Sequence, residues 1–320
     1  MNLGNPDRPV GGLSVPRPDG VEIRPLGRDD FADALAMARE LYALPTDGDV
    51  EPHRPAFDAL VNDVDAAPFL AVADGAPAGL IVFRFRRRLN HATFEGWISD
   101  LVVREAFRGR GIGRALVGAV IAEWRLRGSH RLTLEVGDDR TAARGLYERM
   151  GFRQQGRHFE LGPIRVRGLA APDGLAIRAI EDSDADFEAV TRLLAELVRP
   201  TPTEERMPAL RRTFGQHVRR EDTGSTLAVL DGEPVAFVSL ELRQPFFTLA
   251  PQAWIGDLVV TERARGRGIG PVLLDAALAE ARRRGAYGLA VESGAARDAA
   301  HRLYGKAGMS DVGSFQWLER

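Results

Sequence analysis

The chain has 320 residues, 44% of them hydrophobic, with 43 Lys+Arg against 45 Asp+Glu and a net charge of −2. That length and apolar content suffice for two domains of ordinary size, and the near-neutral charge argues against a general nucleic-acid binder, which is usually strongly basic. The absence of cysteine excludes disulfides, thiolate metal sites and a cysteine nucleophile, and it fits a cytoplasmic protein.

Residues 1–20 are rich in Pro and Gly and lack an apolar h-region, so they read as a loose leader. A short strand at Val21-Glu22-Ile23-Arg24-Pro25 precedes an acid-rich helix start at Asp29 and Asp30. Phe69 to Gly75 runs into an Asp-Gly turn, and a second apolar run follows from Ala78 to Phe85. That is a hairpin signature, because Gly supplies the positive φ that a tight turn needs. Trp97-Ile98-Ser99-Asp100-Leu101-Val102-Val103 then feeds Arg108-Gly109-Arg110-Gly111-Ile112-Gly113. Leu116, Val117, Val120 and Ile121 recur at helical spacing up to Gly128, a C-cap residue. A strand at Leu132–Val136 and a helix from about Thr141 to Met150 complete the series. Gly162 to Gly174, with Pro163 and Pro172, reads as a linker.

The series then repeats. Leu175-Ala176-Ile177-Arg178-Ala179 echoes the first strand, Thr226 to Gly232 the hairpin, and Trp254-Ile255-Gly256-Asp257-Leu258-Val259-Val260 the strand before a second turn, Arg265-Gly266-Arg267-Gly268-Ile269-Gly270. Asp100 and Asp257, like Tyr147 and Tyr304, stand 157 residues apart. A period this long indicates duplication of a whole domain rather than a solenoid. The expected organisation is a leader at 1–20, a first domain at 21–162, a linker at 163–174 and a second domain at 175–320. Two like domains would form a pseudo-dimer within one chain, and a homodimer is left open.

A strand feeding a glycine-rich turn and a helix can hold phosphate on backbone N–H groups. No Lys-Ser/Thr follows the glycines, so the turn is not a Walker loop, and Gly109, Gly111 and Gly113 lack the Gly-x-Gly-x-x-Gly spacing of a dinucleotide fold. What remains is Arg-x-x-Gly-x-Gly. With Leu134-Glu135-Val136 and Ala142 to Phe152 after it, and their counterparts Val291-Glu292 and Ala299 to Met309, the chain resembles the GNAT superfamily of acyl-CoA-dependent N-acetyltransferases, twice over. The resemblance implies an α/β (α+β) fold of two tandem GNAT-like domains, each a mixed, mostly antiparallel sheet flanked by helices. It implies acetyl-CoA as co-substrate, held in the first half by Leu101, Val102, Val103, Arg108, Gly109, Arg110, Gly111, Ile112, Gly113 and Arg114. The second-half equivalents are Val259, Val260, Arg265, Gly266, Arg267, Gly268, Ile269 and Gly270.

Direct attack of an amine on a thioester needs a base, an oxyanion donor and an acid for the leaving thiolate. The resemblance assigns the donor to the backbone at Val103 and Val260, and the acid to Tyr147 and Tyr304. Two candidates stand for the base in each half, Glu135 or Asp100 and Glu292 or Asp257, with Glu95 a weaker one because its counterpart is Gln252. Where the family often carries an Asn that contacts pantetheine, this chain has Arg140 and Arg297. Acidic residues Asp47, Asp49 and Glu51 lie where family members shape the acceptor pocket, while Trp97 and Trp254 read as core. The histidines show no metal-ligand spacing, so no metal is expected, and no apolar run is long enough to suggest a membrane partner. The acceptor is expected to be a small primary amine. A peptide N-terminus or lysine is the enzymatic alternative, a mycothiol-synthase-like role the third, and a non-catalytic acyl-CoA sensor the alternative of another class.

Overall fold

A computed structural model describes residues 18–197 and 203–319; most of the expected leader, residues 1–17, lies outside them. The first half is β1 (Val21–Pro25), α1 (Phe31–Tyr42), α2 (Arg54–Asn62), β2 (Phe69–Ala73), β3 (Ala76–Arg86), β4 (Glu95–Val103), α3 (Ile112–Leu126), β5 (Arg131–Gly137), α4 (Thr141–Arg149) and β6 (Arg153–Leu161). The second half repeats it as β7 (Leu175–Ala179), α5 (Asp184–Ala195), α6 (Met207–Arg219), β8 (Thr226–Leu230), β9 (Glu233–Arg243), β10 (Gln252–Val260), α7 (Ile269–Arg283), β11 (Gly288–Gly294), α8 (Asp298–Lys306) and β12 (Ser310–Glu319). The expected order of elements therefore holds in both halves.

All twelve strands join one sheet in the order β1-β2-β3-β4-β5-β12-β6-β11-β10-β9-β8-β7. Among the described residues the pairs are antiparallel except β4–β5 and β10–β11. The halves exchange their last strands. β12 pairs with β5 of the first half, and β6 pairs with β11 of the second, while β6 and β12 pair with each other at the centre. Each exchanged strand covers what would otherwise be an open sheet edge. Residues 153–161, first-half by chain order, thus lie hydrogen-bonded in the second half's portion of the sheet.

Gly156 and Gly313 stand at equivalent points of the exchanged strands, where backbones pass too closely for a side chain. A Cβ on Gly156 would fall 1.9 Å from the Ser293 carbonyl oxygen, and one on Gly313 would fall 2.3 Å from that of Val136. Alanine at either position is expected to destabilise the protein by about 1–3 kcal/mol or more through overpacking, measured by urea denaturation.

Helices cover both faces of the sheet. In the first half α3 buries Leu116, Val120 and Trp124 on one face, and α1 and α2 bury Phe31, Leu35, Phe57 and Leu60 on the other. The second half repeats this with α7 and with α5 and α6. The linker is held along α7, where the buried Asp275 accepts from the N–H groups of Arg167 (2.8 Å) and Leu169 (3.0 Å). No helix among the described residues is long and apolar enough to cross a membrane.

Candidate active site

The parallel pairing of β4 with β5 runs only from Glu95–Arg131 to Ile98–Leu134, and that of β10 with β11 stops likewise at Ile255–Val291. Beyond these points each pair splays into a wedge. A β-bulge skips Ser99 in β4 and Gly256 in β10. Arg104 N–H donates to the Ala78 carbonyl, and bonding alternates along an antiparallel ladder. Val102 N–H therefore faces β3, and the N–H groups of Leu101 and Val103 face the wedge. Thr261 N–H, donating to Val235, sets the same phase in the second half: Val259 faces β9, and Leu258 and Val260 face the opening. Val102 and Val259 are buried core side chains with ladder-bonded amides, so of the predicted strand residues Leu101, Val103 and Val260 are the ones placed to offer a free donor.

The glycine turns sit at the wide end of each wedge. Gly109 and Gly111 have φ of 79° and 77°, and Gly266 and Gly268 have 78° and 80°, left-handed values that favour glycine. Gly111 is the N-cap of α3, and the first helical bond runs from Ala115 N–H to its carbonyl. The N–H groups of Ile112, Gly113 and Arg114 thus precede the ladder and point outward with the positive end of the helix dipole. This is a cradle suited to a diphosphate, and the residues present fit the phosphates of a coenzyme A thioester. In the second half Pro271 occupies the position of Arg114 and removes one N–H and one cation. Arg108 and Arg265 hold the turns by donating to the carbonyls of Val103 and Val260, each at 3.2 Å. Arg110 forms an exposed pair with Asp74 at 2.6 Å.

Tyr147 on α4 flanks the first wedge: its neighbour Leu146, with Val103, packs around Gly113. Burial pushes its hydroxyl above the usual tyrosine range, with Asp100 and Glu135 adding to the effect. Tyr304 is pushed up to about 12, mainly by burial. Arg140 and Arg297, the departures from the family pattern, donate to the carbonyls of Leu41 (3.3 Å) and Leu197 (2.9 Å) and so brace the segment after α1 or α5.

A cavity of about 710 Å³ opens onto the first wedge, and Asp100, Glu135, His158, Trp97 and Tyr42 reach it, facing Gln244 to Ala250 of the other half. Asp100 is buried, which raises its carboxyl above the usual range, while Ser99 Oγ (2.5 Å) and Tyr42 Oη (2.6 Å) donate to it. The Tyr42 ring stacks on Phe247 at 4.4 Å. Among the described residues Asp47, Asp49 and Glu51 do not line the cavity; the β9–β10 loop of the second half does instead. Trp97 and Trp254, expected in the core, also face it.

The two predicted glutamates, one from each half, meet at this cavity. His158 on β6 lies opposite Glu292 on β11, and the carboxyl oxygens of Glu135 and Glu292 lie within 4.8 Å of each other and of a His158 nitrogen. Trp97 Nε1 donates to Glu135 at 2.6 Å and Trp254 Nε1 to Glu292 at 2.9 Å. Burial, and then the Glu292 charge, push Glu135 up to about 8, so of the two carboxyls it is the one that holds a proton. Burial alone would raise Glu292 too, but Arg86, the Glu135 hydrogen bond and Arg88 together hold it well below the usual carboxylate range. Sequence spacing predicted no metal, yet these three side chains are of a type and spacing that could hold one; the guanidinium groups of Arg86 (3.1 Å) and Arg88 (3.5 Å) on Glu292 supply its counter-charge instead. Arg243, between the rings of Trp97 (4.3 Å) and Trp254 (3.7 Å), is pushed down to about 9 by burial and by Arg86.

Glu95 is not part of the reacting surface. It is fully buried and binds Arg86 (2.7 Å), Arg88 (3.1 Å) and Arg131 (2.6 Å), which outweigh burial and hold it well below the usual range. Its stabilising contribution is present above the ordinary carboxylate value of 4.5 and is lost as pH falls below it. Glu95→Gln leaves Arg131 without an anion and Arg86 and Arg88 with Glu292 alone, and it is expected to cost about 3–5 kcal/mol, seen as a lower urea midpoint at pH 7.

Sequence reasoning missed Tyr42, Ser99, Arg86, Arg88, Arg243 and Phe247. One signal was available: the arginine run Arg84 to Arg88 continues a strand that is otherwise apolar, where cations persist only if paired or functional.

The profile of the Acetyltransferase (GNAT) family matches residues 35–152 and 191–309. Over 138 residues, 43% of this chain and 87% of the relative, the sequence is 30% identical to the aminoalkylphosphonate N-acetyltransferase of Salmonella typhimurium. It is 33% identical over 162 residues to the mycothiol acetyltransferase of Salinispora tropica, covering 46% of this chain and 50% of that one. The fold matches a GCN5-related N-acetyltransferase from Sphaerobacter thermophilus, with TM-score 0.61, 23% identity and coverage of 94% and 96% of the two chains. It also matches a tandem GNAT protein of the clavulanic acid biosynthesis pathway, with TM-score 0.59, 20% identity and coverage of 93% and 98%.

Proposed function

Since the chain belongs to the acetyltransferase (GNAT) family, we propose that its first half transfers the acetyl group of acetyl-CoA to a primary amine of a small molecule within a ternary complex. The observation that carries this reading is the cavity of about 710 Å³ that opens onto the first wedge. Its walls come from both halves, which suits a small acceptor better than a folded protein. The aminoalkylphosphonate enzyme, a relative over most of its own length, supports a small aliphatic amine.

The thioester's diphosphate lies on the turn of Arg108, Gly109, Arg110, Gly111, Ile112, Gly113 and Arg114, and its pantetheine arm enters the wedge. Val103 N–H polarises the thioester carbonyl and stabilises the oxyanion. The amine must shed a proton, since an alkylammonium has a pKa of roughly 10; Asp100 binds it, and the ionised Glu135 takes the proton. The nitrogen forms a bond to the carbonyl carbon, the C–S bond breaks, Tyr147 protonates the departing sulfur, and the second proton that the new amide nitrogen sheds replaces the one the tyrosine gave.

Incubation with acetyl-CoA and a panel of amines, following free thiol, tests the reading. Thiol release that depends on one acceptor class supports it. Saturable acetyl-CoA binding with no release across the panel would favour a sensor instead.

A further inference from the structure

The cavity beside Asp100 has a counterpart beside Asp257, and the two can be compared position by position. Val82, Arg84, Trp97, Ser99 and Asp100 line the first. Ser239, Glu241, Trp254, Gly256 and Asp257, each 157 residues on, line the second. The first measures about 710 Å³ and the second about 10 Å³.

The difference comes from the loop each half lends to the other. Leu89 of the first half packs into the second half's core, and its counterpart Phe246 packs into the first half's core. The preceding residue differs. In the second half's pocket it is Arg88, with its guanidinium buried there. In the first half's cavity it is Pro245, which has no cation to offer. Arg88 Nη1 donates to the Gly256 carbonyl at 2.7 Å, and the Asp257 charge also acts on the guanidinium. Glu95 on the first half's β4 fixes its other edge at 3.1 and 3.2 Å. A cation of the protein itself therefore occupies the acceptor pocket of the second half.

We propose that Arg88 is a built-in surrogate for the acceptor: it closes the second half's acceptor pocket, and the equivalent place in the first half, beside the Asp100 carboxylate and the Ser99 carbonyl, is the subsite for the acceptor's ammonium group. The inference rests on the first half being the catalytic one and adds where the cation binds and why the second half takes none. Of the cations that line this cavity, Arg84 is tied to Asp63 at 3.3 Å and Arg243 lies between the Trp97 and Trp254 rings. The subsite is therefore left with an anion, a carbonyl and aromatic walls, a setting for a protonated primary amine or a guanidinium. It also predicts one acceptor site per chain, although the phosphate turn occurs twice.

Two measurements test this. The first is calorimetric titration of the intact protein with n-propylguanidine, which needs no turnover and so stands apart from the proposed reaction. One site per chain is expected, weakened about 10- to 100-fold in Asp100→Asn by loss of a charge-assisted bond. No binding, two equal sites, or binding indifferent to Asp100→Asn would overturn the proposal. The second is Pro245→Arg, which places a guanidinium in the first cavity. It is expected to abolish n-propylguanidine binding while acetyl-CoA still titrates with its wild-type affinity, which also shows that the variant is folded. Unchanged guanidine binding in that folded variant would contradict the assignment. Should Pro245→Arg fail to fold, the wild-type and Asp100→Asn titrations decide alone.

Discussion

Glu135→Gln is expected to lower kcat by about 10²- to 10⁴-fold, the usual contribution of a positioned general base, with acetyl-CoA affinity unchanged in calorimetry. The amide keeps the size of the side chain and can still accept from Trp97, so the loss isolates proton transfer. The pH profile carries the sharper signature. Glu135 is pushed up to about 8 by burial and by Glu292, and a base acts only when ionised, so the wild-type rate should rise as pH climbs through that value. Glu292→Gln removes the neighbouring anion and leaves Arg86, 3.8 Å from Glu135, facing it more directly. Both changes favour the ionised form, so the rise should move to lower pH. The dyad titrates as a unit, and the apparent value belongs to the pair. A profile identical in wild type and Glu292→Gln would show that the two carboxyls do not share the proton.

The second large effect is an asymmetry between tyrosines that look alike in sequence. Tyr147→Phe is expected to lower kcat by about 10²-fold or more by removing the acid that protonates the thiolate. Tyr304→Phe should leave turnover within about twofold, because its wedge leads to a pocket of only about 10 Å³. Both rings are almost fully buried, so loss of packing should be similar in the two variants, and thermal denaturation of each checks that it is. A large loss in the second variant alone would move the chemistry to the other half.

The 157-residue repeat made the order of elements, both glycine turns and the helices carrying Tyr147 and Tyr304 legible in the sequence, because each rests on local patterns: alternating apolar strands, glycines with forced φ, and helical periodicity. The site was legible only in part. Glu135 and Glu292 were recognised as candidates for separate sites, and nothing local could show that they meet. Their meeting is a contact between the halves, and the exchange of β6 and β12 that sets His158 opposite Glu292 is a non-local pairing whose trace in the sequence is a pair of glycines, Gly156 and Gly313, inside strands. The acceptor pocket was expected to be shaped by the segment after α1; Leu44 of that segment lines the cavity, and residues 244–250 of the other half supply a further part of its wall. Trp97 and Trp254 looked like core because an indole in an apolar strand usually is; the buried carboxyls to which their N–H groups donate lie on neighbouring strands. Glu95 and Gln252 differ by one atom type, and that difference decides which arginines are neutralised.

In the proposed reaction one composite site, at the first wedge and beneath the other half's loop, performs the acetyl transfer. A crystal structure with a bisubstrate analogue, coenzyme A joined through an acetyl bridge to a primary amine, tests it most directly. The account predicts the diphosphate on the turn at Gly109 to Gly113, the bridge carbonyl at Val103 N–H, and the amine arm in the cavity between Asp100 and Glu135. An analogue whose amine arm lies beside Asp257 with Arg88 displaced, or lies outside the cavity in both halves, would contradict it.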